Sequence, residues 1–147
     1  LARACSIPVL NAPVELDGRH DYDGGVGDSI PVGRALAKGY GKVVVVLTRR
    51  AGVYPRVGTK AQAAYRVFFR HYPQFRDALL SRPDRYRAQV TLLNRLEAQG
   101  RAFLIRPLEP ELPHLEKNPE LAASYYRHGY TRMAALWPEL QAFLNGK

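Results

Sequence analysis

The chain has 147 residues, with 22 Lys and Arg against 13 Asp and Glu (net charge +9), 46% hydrophobic residues and one cysteine, Cys5. That is enough apolar sequence for one folded domain with a core, which excludes a disordered polymer, and a lone cysteine excludes an internal disulfide framework. No apolar run approaches the ~20 residues of a membrane-spanning helix, so the expected protein is cytoplasmic, peripheral to the membrane where it meets lipid.

Residues 1–6 read as a helix end, and Pro8 and Pro13 keep the next stretch extended. Val14-Glu15-Leu16 and the segment from His20 to Tyr22 flank Asp17-Gly18, a strong short-range hairpin signal. The polar run Arg19-His20-Asp21-Tyr22-Asp23-Gly24-Gly25-Val26 follows. A short helix is then expected, with Pro31 in its first turn, Ser29 or Ile30 as cap, Val32, Ala35 and Leu36 on one face, and Gly39 and Gly41 at its end. Val43 to Leu47 is apolar at every position, the pattern of a strand buried on both faces of a parallel sheet. A hairpin, a helix and such a strand in that order imply an α/β layer.

Beyond Gly52 the sequence turns helical. Ala61, Ala64, Tyr65, Phe68 and Tyr72 form one apolar stripe, which Pro73 should break. Ser81 is expected to cap a second helix from Pro83, with Tyr86, Val90, Leu93 and Leu96 inward and Gly100 closing it. Ala102 to Ile105 is another buried-strand candidate. A connector with Pro107, Pro110 and Pro113 leads to Asn118, the expected cap of a long helix from Pro119, interrupted at Pro138.

Candidate chemistry concentrates near Asp23. A carboxylate followed by two glycines can be held on a tight turn with open space beside it, because glycine lacks a Cβ. Asp17, Asp21, Asp23 and Asp28 do not spell a calcium loop: Tyr22 stands where its midway glycine should fall, and Asp28 replaces the terminal Glu. His20, His71, His114 and His128 lack zinc-ligand spacing, so no metal and no cofactor is expected. His20, Asp23 and Ser29 lie too close in sequence to converge as a triad, and Ser29 reads as a helix cap. No nucleophile is visible. The first residue is Leu1 and Met133 is the sole methionine, so the chain is expected to be a piece of a longer polypeptide.

The basic excess favours anionic lipid headgroups or nucleic acid. Arg dominates residues 49–106, and the first reading of such a run is a solvated helix face. The aromatic set Tyr65, Phe68, Phe69, Tyr72, Tyr86, Tyr125, Tyr126 and Tyr130 is mostly core by its helical spacing, with a minority fit to dock at a lipid surface. No recognition motif accompanies it, so nucleic acid is not an expected partner. A non-catalytic module that binds anionic lipid or a protein through the Arg-rich region is the alternative to an enzyme.

Ala4-Cys5-Ser6-Ile7-Pro8, Pro13-Val14, Asp17-Gly18, Tyr22-Asp23-Gly24-Gly25-Val26 and Ile30-Pro31-Val32 with Ala35 occur in an order that resembles the patatin-like phospholipases. The helix ending at Gly39 and the valine-rich strand before Thr48-Arg49 share that resemblance. It implies that residues 1–52 are the C-terminal part of a patatin-type three-layer α/β sandwich, with residues 53–147 a mainly helical extension like that of the bacterial subgroup. It further implies that Asp23 is the carboxylate of a Ser-Asp dyad, on a turn shaped by Gly24 and Gly25, acting on lipid or small carboxylic esters. The family's Gly-x-Ser-x-Gly elbow and oxyanion loop do not occur in this chain, so the chain alone is expected to be inactive. The chemistry is consistent. Without a histidine between them, the carboxylate must take the serine proton directly, and burial against apolar groups strengthens a carboxylate as a base. The sequence does not give the oligomeric state.

Overall fold

The computed structural model describes residues 6–9, 11–113 and 116–146. The expected helix end over residues 1–6 falls, but for Ser6, outside the described residues, as do Cys5 and His114. In chain order the elements are β1 (Val14–Leu16), β2 (Arg19–Asp21), a 3-10 turn (Gly24–Val26), α1 (Val32–Ala37), β3 (Val43–Val46), α2 (Thr59–Phe68), α3 (Pro73–Ala98), β4 (Ala102–Ile105) and α4 (Pro119–Asn145). The class is mixed α/β, predominantly helical, and the described strands form two two-stranded sheets.

The chain divides into two compact units, one of residues Leu1–Gly33 and Tyr54–Thr91, the other of Arg34–Val53 and Leu92–Lys147. These units group residues by contact in space. The expected division between residues 52 and 53 concerns family resemblance, a separate question.

In the first unit β1 and β2 pair antiparallel, Val14 opposite Asp21 and Leu16 opposite Arg19. Asp17 (φ 52°) and Gly18 (φ 71°) both take left-handed backbone, the geometry that lets a two-residue turn follow the twist of its strands. Val26, Phe69 and Leu79 form a buried cluster, with Tyr22, Tyr65, Phe75 and Ala78 packed against it. The expected stripe on α2 is shifted. Ala61, Ala64 and Tyr65 are half-buried, but Phe68 and Tyr72 are exposed and Phe69 is the buried ring. The helix stops at Phe68, and Phe69 as its C-cap leaves helical geometry (φ −108°, ψ 29°), so the 3.6-residue period no longer governs Tyr72.

One helix, α3, stands where two were expected. Pro73 opens it instead of breaking α2, since a first-turn proline has no hydrogen bond to lose. Ser81 lies inside it, its hydroxyl donating to the Asp77 carbonyl at 2.6 Å in place of capping. Pro83 is also internal. It has no N–H to donate and crowds the preceding turn. In that turn Arg85 donates to the Ala78 carbonyl at 2.6 Å and to Ser81 Oγ at 2.7 Å. The expected inward stripe is borne out: Tyr86, Val90, Leu93 and Leu96 are all buried, and Gly100 (φ 67°) follows the helix end.

In the second unit β3 and β4 pair in parallel, Val43 opposite Ala102 and Val46 opposite Ile105. β3 is not buried on both faces as expected. Val43 and Val45 are half-buried while Val44 and Val46 are exposed, because alternate side chains point to opposite faces and only one face of this strand is covered. On β4, Ala102, Leu104 and Ile105 are buried, and α4 packs alongside this strand. Asn118 caps α4 as expected, accepting from the Glu120 N–H at 2.9 Å and the Leu121 N–H at 3.3 Å. Pro138 does not interrupt α4, which continues to Asn145. Leu136 and Leu140 are buried on either side of Pro138, and Phe143 meets Phe103 with ring centroids 5.6 Å apart. Tertiary burial along that face outweighs the local penalty of the proline.

Candidate functional site

Asp23 follows β2 by two residues and is half-buried. Its main-chain N–H donates to the Ser6 carbonyl at 3.1 Å, and its Oδ1 accepts from the Gly25 N–H at 2.7 Å. The carboxylate thus caps the Gly24–Val26 turn, satisfying an amide that the turn would leave without a partner. Ser6 is buried and donates to the Ala12 carbonyl at 2.6 Å, so the strand of chain that holds the Asp23 amide is itself fixed.

The two glycines are not equivalent. A Cβ on Gly25 would stand 3.1 Å from Asp23 Oδ1 and 3.7 Å from Arg82 Nη2, tighter than side-chain carbons ordinarily approach an oxygen. A Cβ on Gly24 would meet nothing within 4 Å. Close approach therefore calls for glycine at position 25, while Gly24 leaves open space on the turn.

That open space is a recess of ≈ 490 Å³, lined by Asp23 and Gly24 together with Tyr22, Phe69, Tyr72 and Phe75. Tyr22 and Phe75 stack at 4.9 Å with 27° between their planes. Phe69 meets Phe75 edge-on at 4.9 Å and Tyr22 at 6.1 Å, so three rings make one rigid apolar wall. His20, Asp21, Pro13, Val26, Gly27 and Ala78 complete the lining. Among the described residues no Lys or Arg lines the recess.

Side chains of α3 tie the turn down from behind. Arg85 donates to the Val26 carbonyl as well as to Ala78 and Ser81. Gln89 donates to Asp28 Oδ1 at 2.6 Å and accepts from the Ile30 N–H at 3.2 Å. Arg82 donates to Ser29 Oγ at 3.3 Å, and that hydroxyl in turn donates to the Gly25 carbonyl at 2.8 Å. Ser29 therefore braces the glycine turn and does not cap α1 with its side chain. No hydrogen bond joins His20, Asp23 and Ser29 to one another, and neither the Ser6 nor the Ser29 hydroxyl is bonded to Asp23. The structure thus offers Asp23 a braced position beside an apolar recess and no serine partner among the described residues.

The sequence singled out Asp23, Gly24 and Gly25 but not Phe75, Arg85 and Gln89, which lie 52, 62 and 66 residues beyond Asp23. Nothing local marks them, since an Arg or Gln on a basic helix looks like any solvated position. Among the described residues no three His, Cys, Asp or Glu side chains are grouped to hold a metal ion, and no helix is long and apolar enough to cross a membrane.

A family profile described as "Domain of unknown function (DUF6363)" matches residues 72–145, half of the chain. The chain belongs to this family. No curated protein and no solved structure matches it. The matched region runs from Tyr72 through α3, β4 and α4. It contributes Tyr72, Phe75 and Ala78 to the recess wall and the bracing residues Arg82, Arg85 and Gln89. Asp23 and its glycines lie before it. The family's own helix thus supplies part of the wall against which the carboxylate stands.

Proposed function

We propose that the chain is the carboxylate-bearing part of a patatin-like serine acyl hydrolase, and that Asp23 is the proton acceptor of its Ser-Asp dyad. The observation that carries this reading is the placement of Asp23 on the wall of the ≈ 490 Å³ recess, beside the Tyr22, Phe69 and Phe75 rings. An apolar pocket with a few convergent polar groups is where a small ester or the acyl chain of a lipid is best bound.

In this reading a serine from upstream polypeptide lies against Asp23. As its oxygen attacks the ester carbonyl carbon, its proton passes to the carboxylate, and the departing alcohol then takes that proton. Water, deprotonated by the same carboxylate, then attacks the acyl-serine, and the carboxylate returns that proton to the departing serine oxygen as the acid is released. The 2.7 Å bond from the Gly25 N–H to Oδ1 fixes the carboxylate so that its other oxygen can face the nucleophile. Substrate filling the apolar recess displaces water from around this carboxylate. The parent fold is then a patatin-type three-layer sandwich, with the β3–β4 parallel pair part of its sheet.

The test uses the longer polypeptide with short-chain nitrophenyl esters. Hydrolysis by the parent and its loss in Asp23→Asn support the reading, and full activity in that variant ends it. The 147-residue chain alone is expected to be inert, and turnover by it would contradict the assignment of the nucleophile to upstream sequence.

A further inference from the structure

From Tyr54 to Arg76 the chain holds five Lys and Arg, namely Arg56, Lys60, Arg66, Arg70 and Arg76, and no Asp or Glu. Arg76 is paired with Asp77 at 2.9 Å. Arg56, Lys60, Arg66 and Arg70 are exposed, and among the described residues none of them meets a carboxylate. Large apolar side chains stand bare beside these cations: Val67 is 67% exposed, Phe68 66% and Tyr72 64%. The outward line of α2 is Lys60, Ala63 and Val67, at spacings of three and four residues, with Arg66 to one side of it and Phe68 to the other. Of the aromatic set whose spacing suggests core, Phe68, Tyr72, Tyr126 and Tyr130 lie outward. Tyr72 also lines the recess that holds Asp23, so the basic and apolar patch of α2 reaches the rim of that recess.

We propose that this patch docks on an anionic lipid bilayer, with Val67, Phe68 and Tyr72 entering the headgroup layer and Arg56, Lys60, Arg66 and Arg70 meeting lipid phosphates. Charge selects the occupant. Exposed cations with no carboxylate among them are complementary to an anionic surface, whereas a second copy would set cations against cations. Protein packed over the patch, upstream polypeptide included, would take these cations out of water, a cost that only a matched carboxylate for each could offset. A lipid surface needs no such match. Its phosphates move laterally and stay hydrated, and long Lys and Arg stems lie along apolar surface while their charges remain in water. The bare apolar side chains select lipid over nucleic acid. Val67 has no ring on which a base could stack, and a bilayer gives both Val67 and Phe68 apolar surroundings just below the headgroups. This surface rests on charge and exposure and does not require Asp23 to be a base.

The test is co-sedimentation of the longer polypeptide, and of the 147-residue chain, with vesicles of phosphatidylcholine alone or with about one-third phosphatidylglycerol. Both proteins should bind only the anionic vesicles, and less tightly as salt rises. Arg66→Glu with Arg70→Glu should weaken binding at least ~30-fold, at about fivefold for each cation lost from the surface. Arg95→Glu with Arg127→Glu makes the same change in net charge at exposed positions of the other unit, and should alter binding less than about threefold. Phe68→Ser should weaken it at least ~5-fold with unchanged circular dichroism, because the ring is bare in the folded chain. Absence of binding by both proteins would overturn the proposal, as would equal losses in the two charge-reversal pairs or indifference to Phe68→Ser. Binding by the 147-residue chain but not by the longer polypeptide would overturn it in favour of upstream sequence covering the patch. A single-stranded oligonucleotide held more tightly than the vesicles, through the same Arg66, Arg70 and Phe68, would overturn it in favour of nucleic acid. Turnover is not read in this experiment, so a negative result leaves Asp23 to its own assay.

Discussion

Gly24 and Gly25 adjoin each other in sequence, yet the geometry assigns them opposite responses to the same substitution. At Gly24 an added Cβ meets nothing within 4 Å, and the backbone is not left-handed. Gly24→Ala should therefore stabilise by about 0.4–1 kcal/mol, because it removes freedom from the unfolded chain only. At Gly25 the same gain is opposed by a Cβ 3.1 Å from Asp23 Oδ1, in a carboxylate already bonded at 2.7 Å to the Gly25 N–H. A charge-assisted bond of this kind contributes about 1.5–3 kcal/mol, and partial exposure of Asp23 places it at the lower end. If the carboxylate gives way and most of that bond is lost, Gly25→Ala is net destabilising by about 1 kcal/mol. Urea titrations of the two variants, followed by far-UV circular dichroism with matched slopes, should put Gly25→Ala about 1.5–2 kcal/mol below Gly24→Ala. Variants within about 0.5 kcal/mol of each other would refute the idea that the carboxylate and the turn are fitted together.

Two further perturbations test the support of the turn and the core. Arg85→Met keeps an apolar stem but removes the donors to Val26, Ala78 and Ser81, and should cost about 2–3 kcal/mol in the same titration, whereas a loss under about 0.5 kcal/mol would show that α3 does not brace the glycine turn. Leu93→Ala at the fully buried centre of the α3 stripe should cost about 3–5 kcal/mol, and a loss of 1 kcal/mol or so would mean that this stripe is not core.

What the sequence disclosed was local in origin. The Asp17-Gly18 turn and the Asn118 cap each rest on a side chain or backbone preference acting within three residues, and both appear as expected. The two internal prolines misled because their penalty is also local, a few kcal/mol at most, while the faces they fall on bury apolar side chains on both sides. Pro83 lies between Leu79 and Tyr86, and Pro138 between Leu136 and Leu140, all four buried. The valine run failed in another way: apolarity at every position cannot say how many layers cover a strand, and Val44 and Val46 are bare. For the site, the Asp-Gly-Gly run was legible as a tight turn that needs a close backbone approach. Its aromatic wall was not, since Tyr22, Phe69 and Phe75 converge only through the tertiary fold.

The comparison of Asp23→Asn with Asp21→Asn in the longer polypeptide tests the central claim most directly, because both carboxylates line the same recess and only Asp23 is proposed as the proton acceptor. The account predicts that kcat for a short-chain nitrophenyl ester falls by about a thousandfold or more in Asp23→Asn, with the fold retained, and changes less than about fivefold in Asp21→Asn. Equal losses in the two variants, or an active Asp23→Asn enzyme, would contradict it.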